Sequence, residues 1–155
     1  MTPVGRFEEL SRQTHKTLDA ALEEAGRCMA ARAAARKQLE ALHGYRDEYV
    51  AALNGGLRHG IDAAQCRAHE RFIDALDKVI VTQGARTTEC EQALLDCQEK
   101  CARARRDCAK LDVIVSRQTA REAVRERRRE QSRGDEVAAR VSARTSALSY
   151  RRMGK

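Results

Sequence analysis

Apolar and small residues recur along this chain at alternating three- and four-residue steps. A first run carries Leu18, Ala21, Ala25, Cys28, Ala35, Leu39, Leu42, Tyr49 and Leu53. It stops at Asn54-Gly55-Gly56 and restarts after Asp62 with Leu76, Ile80, Gln83, Thr87, Cys90, Leu94, Cys97, Cys101, Ala104, Cys108, Leu111 and Val115. A period of about 3.5 residues sustained over so many turns predicts a coiled coil. One glycine-rich break predicts that the chain doubles back, giving an all-α, long antiparallel two-helix coiled-coil hairpin. Such a shape binds partners or transmits force and seldom encloses a catalytic pocket.

The pattern sets approximate element limits within a single domain, 1–155. Helix one is expected over about 7–53, where Ala, Leu, Arg and Glu favour the helix and Gly26 and Gly44 weaken it. The turn is expected over 54–62, with Asp62 as N-cap and Gln65 completing a partial capping box. Helix two is expected from about 63 to 129, bent at Gly84, with a hinge at Gly134, more helix from Asp135 to Leu148 and a frayed end over Ser149 to Lys155. Folding about that turn places Leu42 by Leu76, Tyr45 by Phe72 or Ile73, Cys28 by Cys90, and Met1 near residue 117. The basic C-terminal extension, 117–155, then overhangs with no partner in the chain.

Composition agrees with a narrow seam and excludes a layered core. Of 155 residues, 34% are charged and 3% aromatic, and the one proline is Pro3. Charge is divided: residues 1–99 hold 13 Lys and Arg against 16 Asp and Glu, and residues 100–155 hold 17 against 7. The second part is therefore a basic element attached to a nearly neutral hairpin. No apolar run approaches the roughly 20 residues that span a bilayer, and Met1 to Glu9 lacks a signal-like apolar stretch. The expected location is the cytosol, with no direct membrane insertion, and the six cysteines are expected as thiols.

Candidate chemistry is sparse. Cys90, Cys97, Cys101 and Cys108 are spaced 7, 4 and 7 on one stripe. Cys97 and Cys101 are close enough to share an ion, but four sulfurs spread over about 27 Å of helix suit small seam residues better than a tetrahedral site. Cys28, opposite Cys90, is a place for an adventitious disulfide. His15, His43, His59 and His69 match no metalloprotease spacing, and no phosphate-binding glycine loop, dinucleotide fingerprint or nucleophile elbow is present. No catalytic residue, metal or cofactor is expected.

Two stretches suit partners. Tyr45, Tyr49 and Phe72 cluster near the expected tip, with Gln38 and Leu42 extending one face and Leu76, Val79 and Gln83 the other. These side chains either plug the seam or form a wet binding patch, and spacing leaves both readings open. The run from Arg121 to Arg133 reads as a basic helix able to neutralise phosphates, or as a solvated face laced with Glu-Arg pairs. Glu122, Glu126 and Glu130 interrupt it and repel phosphate, and no second helix forks across a groove. An acidic protein surface is the better partner, and no nucleic acid is expected.

The chain resembles the flagellar FliJ family. The resemblance rests on Leu42-x-x-Tyr45-Arg46-Asp47-Glu48-Tyr49 before the turn, Arg71-Phe72-Ile73-x-x-Leu76-x-x-x-Ile80-x-x-Gln83 after it, and the late Glu130-Gln131-x-x-x-Asp135-Glu136. Order, spacing about one turn and total length carry more weight than any single stretch. The resemblance implies a small coiled-coil stalk of the flagellar type III export apparatus, similar to the central stalk of rotary ATPases. It implies three partners: the hexameric export ATPase, the cytoplasmic domain of the export gate membrane protein, and export chaperones. It implies peripheral association with the cytoplasmic face of the inner membrane at the flagellar base. Gate-contacting positions carried over are Gln38, Leu42, Tyr45, Tyr49, Phe72, Leu76, Val79 and Gln83, of which Val79 and Gln83 fit loosely. The basic helix, with Arg121, Arg125, Arg128, Gln131 and Asp135, is expected to seat in the ATPase ring. The cysteine-rich stripe departs from the family pattern. The alternatives are the equivalent stalk of a virulence injectisome and a basic nucleic-acid-binding coiled coil.

Overall fold

A computed structural model describes residues 3–153, with side chains from residue 5 onward. It contains two helices, α1 (Pro3–His59) and α2 (Ala63–Met153), and no strand among the described residues. Two compact units are distinguished, Thr14–Asp107 and Met1–Gln13 with Cys108–Lys155.

Within Thr14–Asp107 the helices pack antiparallel along the heptad stripe. Ala35, Thr87, Leu94, Cys97, Cys101 and Ala104 are buried, and all but Leu94 are small, so the helices meet over a thin seam. Leu18, Ala21, Ala25, Cys28, Leu39, Leu42 and Leu53 are part-buried on α1, and Leu76, Ile80, Gln83 and Cys90 on α2. Thr87 is the one buried polar residue among those described, and its hydroxyl donates to the Gln83 carbonyl at 2.9 Å. Charged pairs flank the seam: Arg36 with Glu91 at 2.6 Å, Arg46 with Asp77 at 2.5 Å and Lys100 with Glu24 at 3.6 Å. In the other unit, Ser11 donates to the Asp112 carboxylate at 3.0 Å, and Cys108 is buried.

The reversal lies later and is tighter than the glycine pair suggests. Asn54, Gly55 and Gly56 are helical, and α1 runs past Leu53 to His59. Among the described residues Gly60 alone adopts the left-handed conformation, with φ 79°. The Ile61 N–H donates to the Gly56 carbonyl at 3.1 Å, the six-to-one bond of a Schellman ending. Ile61 lies on Gly56 so closely that a Cβ there would sit 2.7 Å from Ile61 Cγ2. The His59 Nδ1–H donates back to the Gly55 carbonyl at 2.8 Å. Asp62 precedes α2 in the N-cap position, and its carbonyl accepts the Cys66 N–H at 3.0 Å. Gly60-Ile61-Asp62 thus supplies a left-handed glycine, an apolar residue to cover it and a cap. Asn54-Gly55 has no such sequel, and helical glycine costs only about 1 kcal/mol.

The later turn moves the pairing by one to two helical turns. Cys28 faces Cys97, not Cys90, with their sulfurs 2.9 Å apart. Arg46 is level with Asp77, so the ring beside Phe72 is that of Tyr49, not Tyr45. The pairing expected for Met1 lies outside the described residues. At the other end α2 continues beyond 129 to Met153 without a break at Gly134. Glu130, Gln131, Arg133, Glu136 and Ala138 around it favour the helix, and a single glycine does not end a helix without a cap to follow it. Ser149 to Met153 are helical rather than frayed, and Gly154 and Lys155 lie outside the described residues.

Candidate partner-binding site

The heptad stripe turns one face of each helix inward, so residues one step off it must lie on the flanks. That rule divides the tip residues. Leu42, Leu76 and Gln83 sit on the stripe and are part-buried. Tyr45, Phe72 and Val79 lie off it, with exposures of 56, 43 and 50%, and Tyr49, which falls on it by spacing, is nevertheless 37% exposed. Gln38 is exposed.

These side chains fall into two groups. Tyr49 and Phe72 stack across the helices with ring centroids 4.3 Å apart and a 37° tilt. His69 joins them, 6.2 Å from Tyr49, and Gln65, Ala68, His69, Tyr49 and Phe72 line a shallow hollow. The second group is polar. The Gln83 amide donates to Gln38 Oε1 at 3.2 Å and to the Ala35 carbonyl at 3.1 Å, tying the side of the patch away from the turn across the seam. Arg46 lies between the groups, where the Asp77 carboxylate accepts from its guanidinium and raises its already high pKa. Gln65, Ala68 and His69 were not among the sequence candidates. His69 falls on the α2 stripe, a step before Ile73 and Leu76, and that spacing was the available signal.

The stacked rings present a surface rather than a filled core. Tyr49 and Phe72 are each more than a third exposed although they touch, and Tyr45 projects from the same face of α1 one turn away. Aromatic faces with a phenolic edge in water suit a protein partner, and clusters of this kind dominate binding energies.

The second candidate surface belongs to the unit holding Cys108–Lys155. Every residue from 119 to 153 is exposed. Arg121, Arg125 and Arg128 line a shallow hollow with Ala120 and Val124, one face of one helix at three- and four-residue spacing. Gln131 and Asp135 are exposed further along. Glu122 and Glu126 lie on the adjoining face, where Glu126 pairs with Arg129 at 3.5 Å. The guanidinium fork of arginine can pair with carboxylates, so this face offers donors for them.

The family profile described as "Flagellar FliJ protein" matches residues 3–147, which include both surfaces. The chain belongs to the flagellar FliJ family. No match is found among curated proteins or among solved structures. The FliJ assignment is consistent with a helical hairpin. Among the described residues, no helix is long and apolar enough to cross a membrane, and no three His, Cys, Asp or Glu side chains converge as a metal site.

Proposed function

We propose that this FliJ-family chain is a non-enzymatic stalk of the flagellar type III protein export apparatus, linking the export ATPase to the export gate and assisting export chaperones. In this reading Tyr45, Tyr49, Phe72 and Val79 contact the cytoplasmic domain of the gate. Leu42, Leu76 and the Gln38–Gln83 pair hold those side chains in place. Arg121, Arg125 and Arg128, with Gln131 and Asp135, seat against acidic surfaces of the hexameric ATPase. The chain works at the cytoplasmic face of the inner membrane, at the flagellar base. The observation that carries the reading is an aromatic cluster kept in solvent on a chain whose family match runs from 3 to 147. A chain with only 3% aromatic residues places three of its five at one surface instead of in its seam.

The test is binding of the purified gate domain to wild type and to Tyr45→Ala/Phe72→Ala. Both side chains are exposed, so helicity should be unchanged while affinity falls at least about thirtyfold, as expected on losing two hot-spot aromatics. Wild-type affinity in the folded double variant removes the tip from the interface. Replacing Arg121, Arg125 and Arg128 with glutamate tests the ATPase contact separately, by co-purification.

A further inference from the structure

The thiols lie outside both surfaces, and their placement is uneven. Cys28 is the only cysteine on α1, whereas α2 holds the other five. The observed register sets Cys28 against Cys97 with a sulfur–sulfur distance of 2.9 Å, inside van der Waals contact. A disulfide has a bond length of about 2.05 Å, so closure needs a movement smaller than a bond. Cys28 is part-exposed, and Cys97 is 4% exposed. Cys28 is therefore the more accessible residue of the pair, and its partner is buried in the seam.

We propose that Cys28 and Cys97 form a redox-responsive dithiol, which a hydroperoxide converts into a single disulfide between the helices. The Cys28 thiolate attacks one peroxide oxygen, the O–O bond breaks, and a sulfenic acid forms as water leaves with the other oxygen. The Cys97 sulfur then attacks the sulfenic sulfur. The S–S bond forms, the S–O bond breaks, and the departing hydroxide takes the Cys97 proton as water. Two thiols and one hydrogen peroxide give one disulfide and two waters. Cys28 is the attacking sulfur because its residue is the less buried of the two. Hydrogen bonding with Cys28 and then burial push the Cys97 thiol up to about 11, which keeps it protonated and unreactive until its neighbour is oxidised. The bond would join residues 69 positions apart and forbid any slide of α1 along α2. Slippage by one heptad is the movement that the repeat itself tolerates. This inference does not depend on the export reading.

The experiment treats the reduced full-length chain with hydrogen peroxide, alkylates the remaining thiols and maps tryptic peptides by mass spectrometry. The expected product has lost two hydrogens, retains four alkylatable cysteines, and joins peptide 28–32 to peptide 87–100 through Cys97. Its melting temperature should be several degrees higher than that of the reduced chain and should return with dithiothreitol. Cys28→Ser should leave Cys97 alkylatable after the same treatment. A bond from Cys28 to Cys90, Cys101 or another chain overturns the proposal. So does Cys28 recovered as a thiol, or carried on to sulfinic acid while Cys97 remains a thiol. Because the peptide map uses the wild-type chain, the result stands even if the serine variant folds poorly.

Discussion

Cys97 shows how one seam position acquires chemistry that its residue type does not announce. The heptad stripe marks it as a small apolar residue, and it is buried as such. The hydrogen bond with Cys28, followed by burial, raises its pKa from 9.0 to about 11. A group whose folded pKa lies above its unfolded value stabilises the fold below the unfolded value and loses that contribution as pH rises through the folded one. In reductant, the wild-type melting temperature should therefore fall between pH 9.0 and about 11 more steeply than that of Cys97→Ala. Parallel profiles would mean that the thiol ionises equally well in both states. The tip residues divide in the same way, by where each falls against the stripe. Tyr49 fits the repeat closely enough to be placed in the seam by spacing, yet it turns out to Phe72 because Val50 takes the part-buried place beside it.

The helices themselves were legible, but their ends were not. Periodicity and strong helix formers specify α1 and α2, yet both run further than punctuation by glycine suggests. The end of α1 depends on a combination: a left-handed Gly60, Ile61 folded onto Gly56, and Asp62 opening α2. This ending makes three glycines within six residues respond differently to the same change. Gly55 has open space at its Cβ position, so Gly55→Ala should stabilise by about 1 kcal/mol through helix propensity. At Gly56 the new methyl meets the branched part of Ile61, and the crowding should outweigh that gain, for a net loss on the order of 1 kcal/mol. Gly60→Ala should lose about 1–2 kcal/mol, the strain of a left-handed alanine. Chemical denaturation of the three variants gives the order directly. Equal effects at 55 and 56 would mean that Ile61 does not rest on Gly56.

For the molecule as a whole, charge and burial separate two roles. The buried residues end at Cys108, and every described residue from 119 on is exposed, in a stretch where arginine outnumbers acids. Removing 119–155 deletes little buried area, so the melting temperature should stay within a few degrees of wild type while co-purification with the export ATPase is lost. Intact ATPase binding by the truncated chain would move that contact elsewhere. A large drop in melting temperature would show that the basic segment supports the fold.

The sequence by itself determined the fold class, the two helices, the face that each turns inward and the basic character of the C-terminal third. All of these follow from a local period and from composition. Its motifs also pointed to the FliJ family, which the profile match established. What only the tertiary structure decided was which turn of α1 meets which turn of α2. A heptad repeat looks the same after a slide of seven residues, so Cys28 opposite Cys90 and Cys28 opposite Cys97 satisfy the apolar pattern equally. The choice falls to contacts between residues distant in sequence: Ile61 on Gly56 at the turn, and Arg36 with Glu91 and Arg46 with Asp77 along the flanks. From that choice follow the Tyr49–Phe72 stack and the paired thiols.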